Sequence, residues 1–247
     1  MLAAKRIIVF ACLIYPMLML PAAAQAVQID LGGEGALSAQ VIQLFLIVTL
    51  LSLAPGLAVM ITCFPFMVTV LSLVRQGIGL QSAPPNMLII SLALFLTWFV
   101  MEPVLQQAWT VAMGPLMDGD ITPEQAFERG IVPFRTFMEA RVRPEMIAAL
   151  AEAAPGRSAQ IGSDGTAPLS VLVPAFMLTE IERGFEIGFM IFLPFLIIDL
   201  VVASVLMSMG MMMVPPVVVS LPLKLAFFVV ADGWSLLAGA LISGYST

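Results

Sequence analysis

The sequence predicts an all-α membrane protein made of helical hairpins with interrupted apolar helices, carrying a small α-helical, water-exposed insert. Three observations predict it. Of 247 residues, 61% are apolar and 11% charged, against about 45–50% and about 25% in soluble domains, and mean hydropathy is +1.07. Long stretches lack charge altogether, as between Gly35 and Val74. Nearly every such stretch is nevertheless broken by proline or by a charge: Pro55, Pro65, Glu102, Asp199, Pro215-Pro216 and Lys224. Irregular backbone and charge at membrane depth are tolerated only where protein or a water-filled cavity covers them. The pattern therefore argues for a tightly packed oligomer or a pore builder.

Composition also excludes function classes. Ten basic against sixteen acidic residues give a net charge of −6, the wrong sign for a nucleic-acid footprint. There is no histidine, which removes the usual general base and the commonest metal ligand. Two cysteines, Cys12 and Cys63, are too few for a disulfide framework or a thiolate cage. Gly33-Glu34-Gly35 fails the dinucleotide fingerprint because position 38 is serine, and no P-loop exists. No enzyme and no cofactor is expected.

Taken in order, residues 1–26 read as a secretory signal peptide. Lys5 and Arg6 precede an apolar core from Ile7 to Leu20, and Ala24-Gln25-Ala26 forms an A-x-A cleavage box. The apolar core is too short for a bilayer span of about 20 residues. Residues 27–104 form a first apolar region. Its stretch from Val41 to Val74 would measure about 51 Å as one helix, against about 30 Å of hydrocarbon, so Pro55-Gly56 and Pro65 are expected to kink or break it. A loop is expected over 75–86, where Arg75 is the one charge and weakly favours the cytoplasmic side. Met87 to Val100 then begins a second apolar segment that meets Glu102 and Pro103.

Residues 105–184 read as the insert and a charged approach to the membrane. Eight acids face five arginines between Leu105 and Ser170. Thr122-Pro123-Glu124-Gln125 combines an N-cap, a proline in the first turn and an acid, so a helix is expected to about Arg129. Further short helices are expected at Arg135–Arg141 and Pro144–Glu152, with a loop from Ala154 to Ala167. Glu180, Glu182, Arg183 and Glu186 cluster just before the next apolar segment; a solvated juxtamembrane face accounts for such a cluster as well as a functional one does.

Residues 185–247 read as a helical hairpin, Phe185 to Val214 and Val217 to Ile242, turning at Pro215-Pro216. Asp199 and Lys224 lie symmetrically about its midpoint, at similar depth, and could pair within the hairpin or across a subunit boundary. Met207, Met209, Met211, Met212 and Met213 gather at the turn. Methionine is flexible and polarizable, suited either to a deformable seal or to filling gaps in a core.

Several strings match a known pattern. Leu71-Ser72-Leu73-Val74-Arg75-Gln76, Ser82-Ala83-Pro84-Pro85-Asn86, Phe192 through Val201, Met209-Gly210-Met211-Met212-Met213 and Asp232-Gly233-Trp234 closely resemble the FliP family of flagellar export-gate proteins over about residues 40 to 245. The injectisome SctR proteins share part of this pattern, whereas Pro133-Phe134-Arg135-Thr136-Phe137-Met138 and the signal peptide look flagellar. The resemblance implies a homo-oligomer, a pentamer, that assembles helically with FliQ and FliR into the inner-membrane entry channel for unfolded flagellar proteins. It further implies FlhB and FlhA as neighbours in the export apparatus and an insert exposed to the periplasm. Met211, Met212 and Met213 would then form a gasket in the pore, and Glu180 and Lys224 would meet between neighbouring subunits, in competition with an Asp199–Lys224 pair. This chain departs from the pattern at Thr62-Cys63-Phe64-Pro65-Phe66, where family members commonly have Thr-Ser-Phe-Thr-Arg; the arginine is lost and a proline gained. A stand-alone secondary transporter coupling through Asp199 and Lys224 is the rival reading.

Overall fold

The structure is a computed structural model that describes residues 34–80, 84–153, 167–211 and 213–245, with side chains from Val41 onward. The expected signal peptide, its residues Ala24 and Ala26, most of the expected loop at 154–167, and Met212 lie outside the described residues. Among those described, every regular element is a helix. In order they are α1 (Glu34–Met60), α2 (Phe64–Ile78), α3 (Asn86–Ala108), a π-helical turn (Trp109–Met113), α4 (Gly114–Met117), α5 (Pro123–Glu139), α6 (Pro144–Ala153), α7 (Leu169–Ser208), α8 (Pro216–Val230) and α9 (Gly233–Ser243). The chain divides into two units, one ending at Ser52 and the other running from Leu53.

The first apolar region breaks where proline predicts, but only once. Pro55 sits inside α1, while the chain leaves the helix at Ile61–Cys63 and re-enters with Pro65 in the first turn of α2. There its missing N–H leaves no helix bond unmade. The departure from the family pattern at Cys63–Phe66 thus coincides with the break. Helix α2 runs past Arg75 into the stretch expected as loop. Gly79, at φ 89°, ends it: the Gly79 N–H donates to the Gln76 carbonyl and the Leu80 N–H to the Arg75 carbonyl, the two bonds of a Schellman cap.

Three other boundaries differ from expectation. The apolar segment that meets Glu102 and Pro103 does not stop there; helix continues from Asn86 to Met117, since Pro103 lies inside α3 and the π-turn adds a residue to the ladder. The two helices expected around Arg129 and Arg135 are one, α5, which opens on a Thr122–Gln125 capping box and carries Pro133 in its interior. Helix α7 is 40 residues long and begins at Leu169, so the charged approach at 180–186 is part of the same rod as the apolar segment. Segment boundaries at 104/105 and 184/185 consequently fall within continuous helix.

The core of the second unit is the seam between α2 and α7, flanked by α3, α8 and α9. Helix α2 contributes Phe66, Met67, Val70, Leu71, Val74 and Ile78, all buried. This i, i+4, i+8 pattern turns one stripe inward. Against it lie Phe195 of α7, Phe228 of α8 and Leu237 and Leu241 of α9. Close approach depends on glycine: a Cβ built on Gly184 would lie 3.0 Å from the Thr69 Cβ, and one on Gly188 would collide with Leu73. Gly184 and Gly188 are four residues apart, the small-xxx-small spacing that lets membrane helices touch backbone to backbone. A smaller cluster of Met138, Leu172, Phe176 and Ala167 joins the insert to the start of α7.

Candidate functional site

The C-terminal hairpin is built by its turn. Helix α7 ends with the Gly210 N–H donating to the Met207 carbonyl at 3.0 Å and the Met211 N–H to the Leu206 carbonyl at 3.0 Å. Gly210 takes φ 76°, a conformation that needs glycine. Pro215 caps α8 and Pro216 occupies its first turn, so Met209, Met211 and Met213 lie at the tip of the hairpin. They do not fill a core. Met209 is 67% exposed, Met211 44% and Met213 97%. Within this chain the three described methionines therefore fill no cavity.

Deeper in the hairpin, Lys224 Nζ lies 2.6 Å from Asp199 Oδ2 and donates to the Gly77 carbonyl at 3.1 Å. Ser220 Oγ donates to Asp199 Oδ1 at 2.6 Å. Lys224 is 5% exposed. One cation thus serves a carboxylate on α7 and a carbonyl at the C-terminal end of α2, where the helix dipole favours positive charge. Of the two pairings open in the sequence, this chain brings together Asp199 and Lys224.

Glu180 is held elsewhere. It is fully buried, and Arg141 Nε, from the turn between α5 and α6, approaches its Oε1 at 3.2 Å. Tyr245 Oη donates to its Oε2. The Arg141 guanidinium lies 3.7 Å over the Tyr245 ring and donates twice to the Gly244 carbonyl at 3.3 Å. Tyr245 in turn packs edge-on to Phe66 and stacks on Phe137. Burial, with the neighbouring carboxylate, holds the Tyr245 phenol above its ordinary range. Arg141 and Tyr245 went unnoticed in the sequence because each finds its partner across a long span of chain, and Ser220 because a lone serine in an apolar helix carries no pairing signal. Arg143 bridges Glu182 at 2.8 Å and Glu186 at 3.1 Å, which relieves the like-charge repulsion that the spacing of those two acids imposes.

Cys63 is fully buried beside this cluster, and burial pushes its thiol up to about 12. The expected outcome is that Cys63 resists alkylation at pH 8–9 in the folded chain and reacts on unfolding, read by mass shift. Because the folded thiol holds its proton more tightly than the unfolded one, its contribution to stability is present below about pH 9 and declines as pH rises toward 12. No group of three or more metal-ligating side chains occurs among the described residues.

Three helices are long and apolar enough to cross a membrane, at Val41–Met60, Asn86–Met117 and Leu169–Ser208. A fourth span arises if α8 and α9, bent by 62°, count as one. Long apolar helices whose buried charges are matched within the protein define a polytopic helical membrane protein. Residues 47–241 match the FliP family. The Flagellar biosynthetic protein FliP of Agrobacterium fabrum strain C58 is 47% identical over 213 residues, covering 86% of this chain and 87% of that one. Its namesake from Caulobacter vibrioides is 47% identical over 232 residues, 92% and 85% of the two chains, and that of Bacillus subtilis 45% over 204 residues, 83% and 91%. The chain belongs to the FliP family, whose members are structural export-gate proteins of the flagellum and not enzymes.

Proposed function

We propose that this chain is a core subunit of the flagellar type III export gate, forming with FliQ and FliR the inner-membrane entry channel for unfolded flagellar proteins. Five copies would bring five methionine tips together, with FlhA and FlhB adjoining the assembled gate and the insert facing the periplasm. The observation that carries this reading is the exposed tip: three described methionines stand out from a glycine-capped turn at the end of a 40-residue helix. Flexible thioether chains on such a tip can close around a passing polypeptide of irregular shape and re-pack as it moves. Apolar surface agrees with assembly, since Phe185, Phe189, Leu200, Val218 and Val230 are all exposed and need lipid or another subunit. A Glu180–Lys224 contact between copies would require both side chains to leave their present partners, Arg141 and Asp199, and the assembly proposed here keeps those pairs.

Replacing Met211, Met212 and Met213 together with alanine is the test. Ion conductance of the assembled gate in a planar bilayer is expected to rise several-fold while the complex with FliQ and FliR still forms, as judged by native mass spectrometry. Unchanged conductance in an assembled variant would remove the gasket role. Failure of the unaltered chain to associate with FliQ and FliR would remove the gate reading itself.

A further inference from the structure

We propose that Arg183 of one copy of this chain pairs with Asp232 of the next. The inference rests on the homo-oligomeric reading above and adds a specific contact to it. From Leu169 to Tyr245 there are seven Asp, Glu, Lys and Arg residues. Five are matched within the chain: Glu180 by Arg141, Glu182 and Glu186 by Arg143, and Asp199 by Lys224. The two left over, Arg183 and Asp232, have no ion pair or side-chain hydrogen bond among the described residues, and they are opposite in sign. A segment that satisfies every other charge and leaves one of each kind fits a head-to-tail contact between copies, in which different patches of the same surface meet.

Placement agrees with this. Asp232 sits at the 62° break between α8 and α9 and is the one described non-glycine residue with positive φ, at 48°. Its side chain makes no cap bond to α9, so the strained backbone holds an exposed, unused carboxylate. Arg183 is half-buried on α7, beside the glycine that brings α2 close. Asp199 bonds residues 220 and 224, which sets the antiparallel register and puts Asp232 level with about residue 189. Arg183 is then about 9 Å further along the hairpin at 1.5 Å per residue. That offset separates the two charges within one chain. It falls within the combined reach of an arginine and an aspartate when neighbouring copies are staggered along the axis, as in a helical assembly. A lipid phosphate could meet Arg183 but would repel Asp232; a second copy satisfies both.

The experiment uses the full chain co-expressed with FliQ and FliR in membranes. Copies carrying Arg183→Cys and copies carrying Asp232→Cys, differently tagged, are treated with a short bis-maleimide; buried Cys63 stays unreactive. A cross-linked dimer bearing both tags is expected, and none from copies that all carry Arg183→Cys. In parallel, Arg183→Asp or Asp232→Arg alone should lower the yield of oligomer several-fold, and the two together should restore it. The neutral Asp232→Asn variant, which keeps the side-chain shape, should give an intermediate yield. Full oligomer from each single reversal, with no mixed-tag cross-link, overturns the pair and leaves the oligomer standing. Absence of any oligomer from the unaltered chain overturns both.

Discussion

Replacing Glu180 by alanine is expected to lower the stability of the chain in detergent by about 3–5 kcal/mol, the usual consequence of leaving one member of a buried ion pair unmatched. Arg141 has a side chain only 10% exposed, so it cannot turn to water without leaving the Tyr245 ring and the Gly244 carbonyl. Tyr245 loses its acceptor in the same step. Glu180→Gln retains an acceptor for the phenol and removes only the charge, so it should fall between alanine and the parent. Arg141→Lys should also fall between them, because an ammonium cannot stack flat on the ring while reaching both a carboxylate and a carbonyl. Denaturation followed by tryptophan fluorescence would order the four proteins, and equal stability of the alanine variant would show that the cluster contributes nothing net.

Gly188→Leu should act through shape alone. Even a Cβ at this position collides with Leu73, so a leucine must push α2 off α7 and open the seam that holds most of the core. Overpacking a well-filled site costs about 1–3 kcal/mol and occasionally more; a point of backbone approach belongs at the upper end. The companion change Leu73→Ala makes room and should recover part of the loss. Gly56→Ala is the control, since nothing lies within 4 Å of its built Cβ and alanine favours helix over glycine by up to about 1 kcal/mol. Protease resistance of the purified chain separates these outcomes, and a Gly188→Leu variant as resistant as the parent would dissociate the glycine from the packing.

Much of the fold was legible because its signals are local. The turn after α7 was visible in Pro215-Pro216, the start of α5 in its N-cap threonine, first-turn proline and acid, and the break before α2 in Pro65. The errors also have physical causes. Pro55 read as an interruption and Pro103 as a segment end, yet both lie inside helices, because proline removes a single ladder bond that surrounding helix, π-turns and neighbouring helices can absorb. Gly184 and Gly188 carried a readable spacing that went unused, since glycine in a helix suggests weakness until its partner is known. Asp199 and Lys224 were placed at equal depth by arithmetic about the turn, which works for a hairpin whose register is fixed by its own loop. Tyr245 and Arg141 were not legible, for no local pattern links residues a hundred positions apart.

That last separation also governs timing. Arg141 donates to a carbonyl 103 residues later, and the phenol that holds Glu180 belongs to the following residue. During synthesis the insert, α7 and the hairpin all emerge before the joint that fixes them to one another can close. Until then Glu180 and Arg141 have only each other and water. Each newly made chain thereby passes through an interval in which the insert and α7 are not yet fixed together, and the closed tyrosine joint is the chemical mark by which a finished chain differs from an unfinished one.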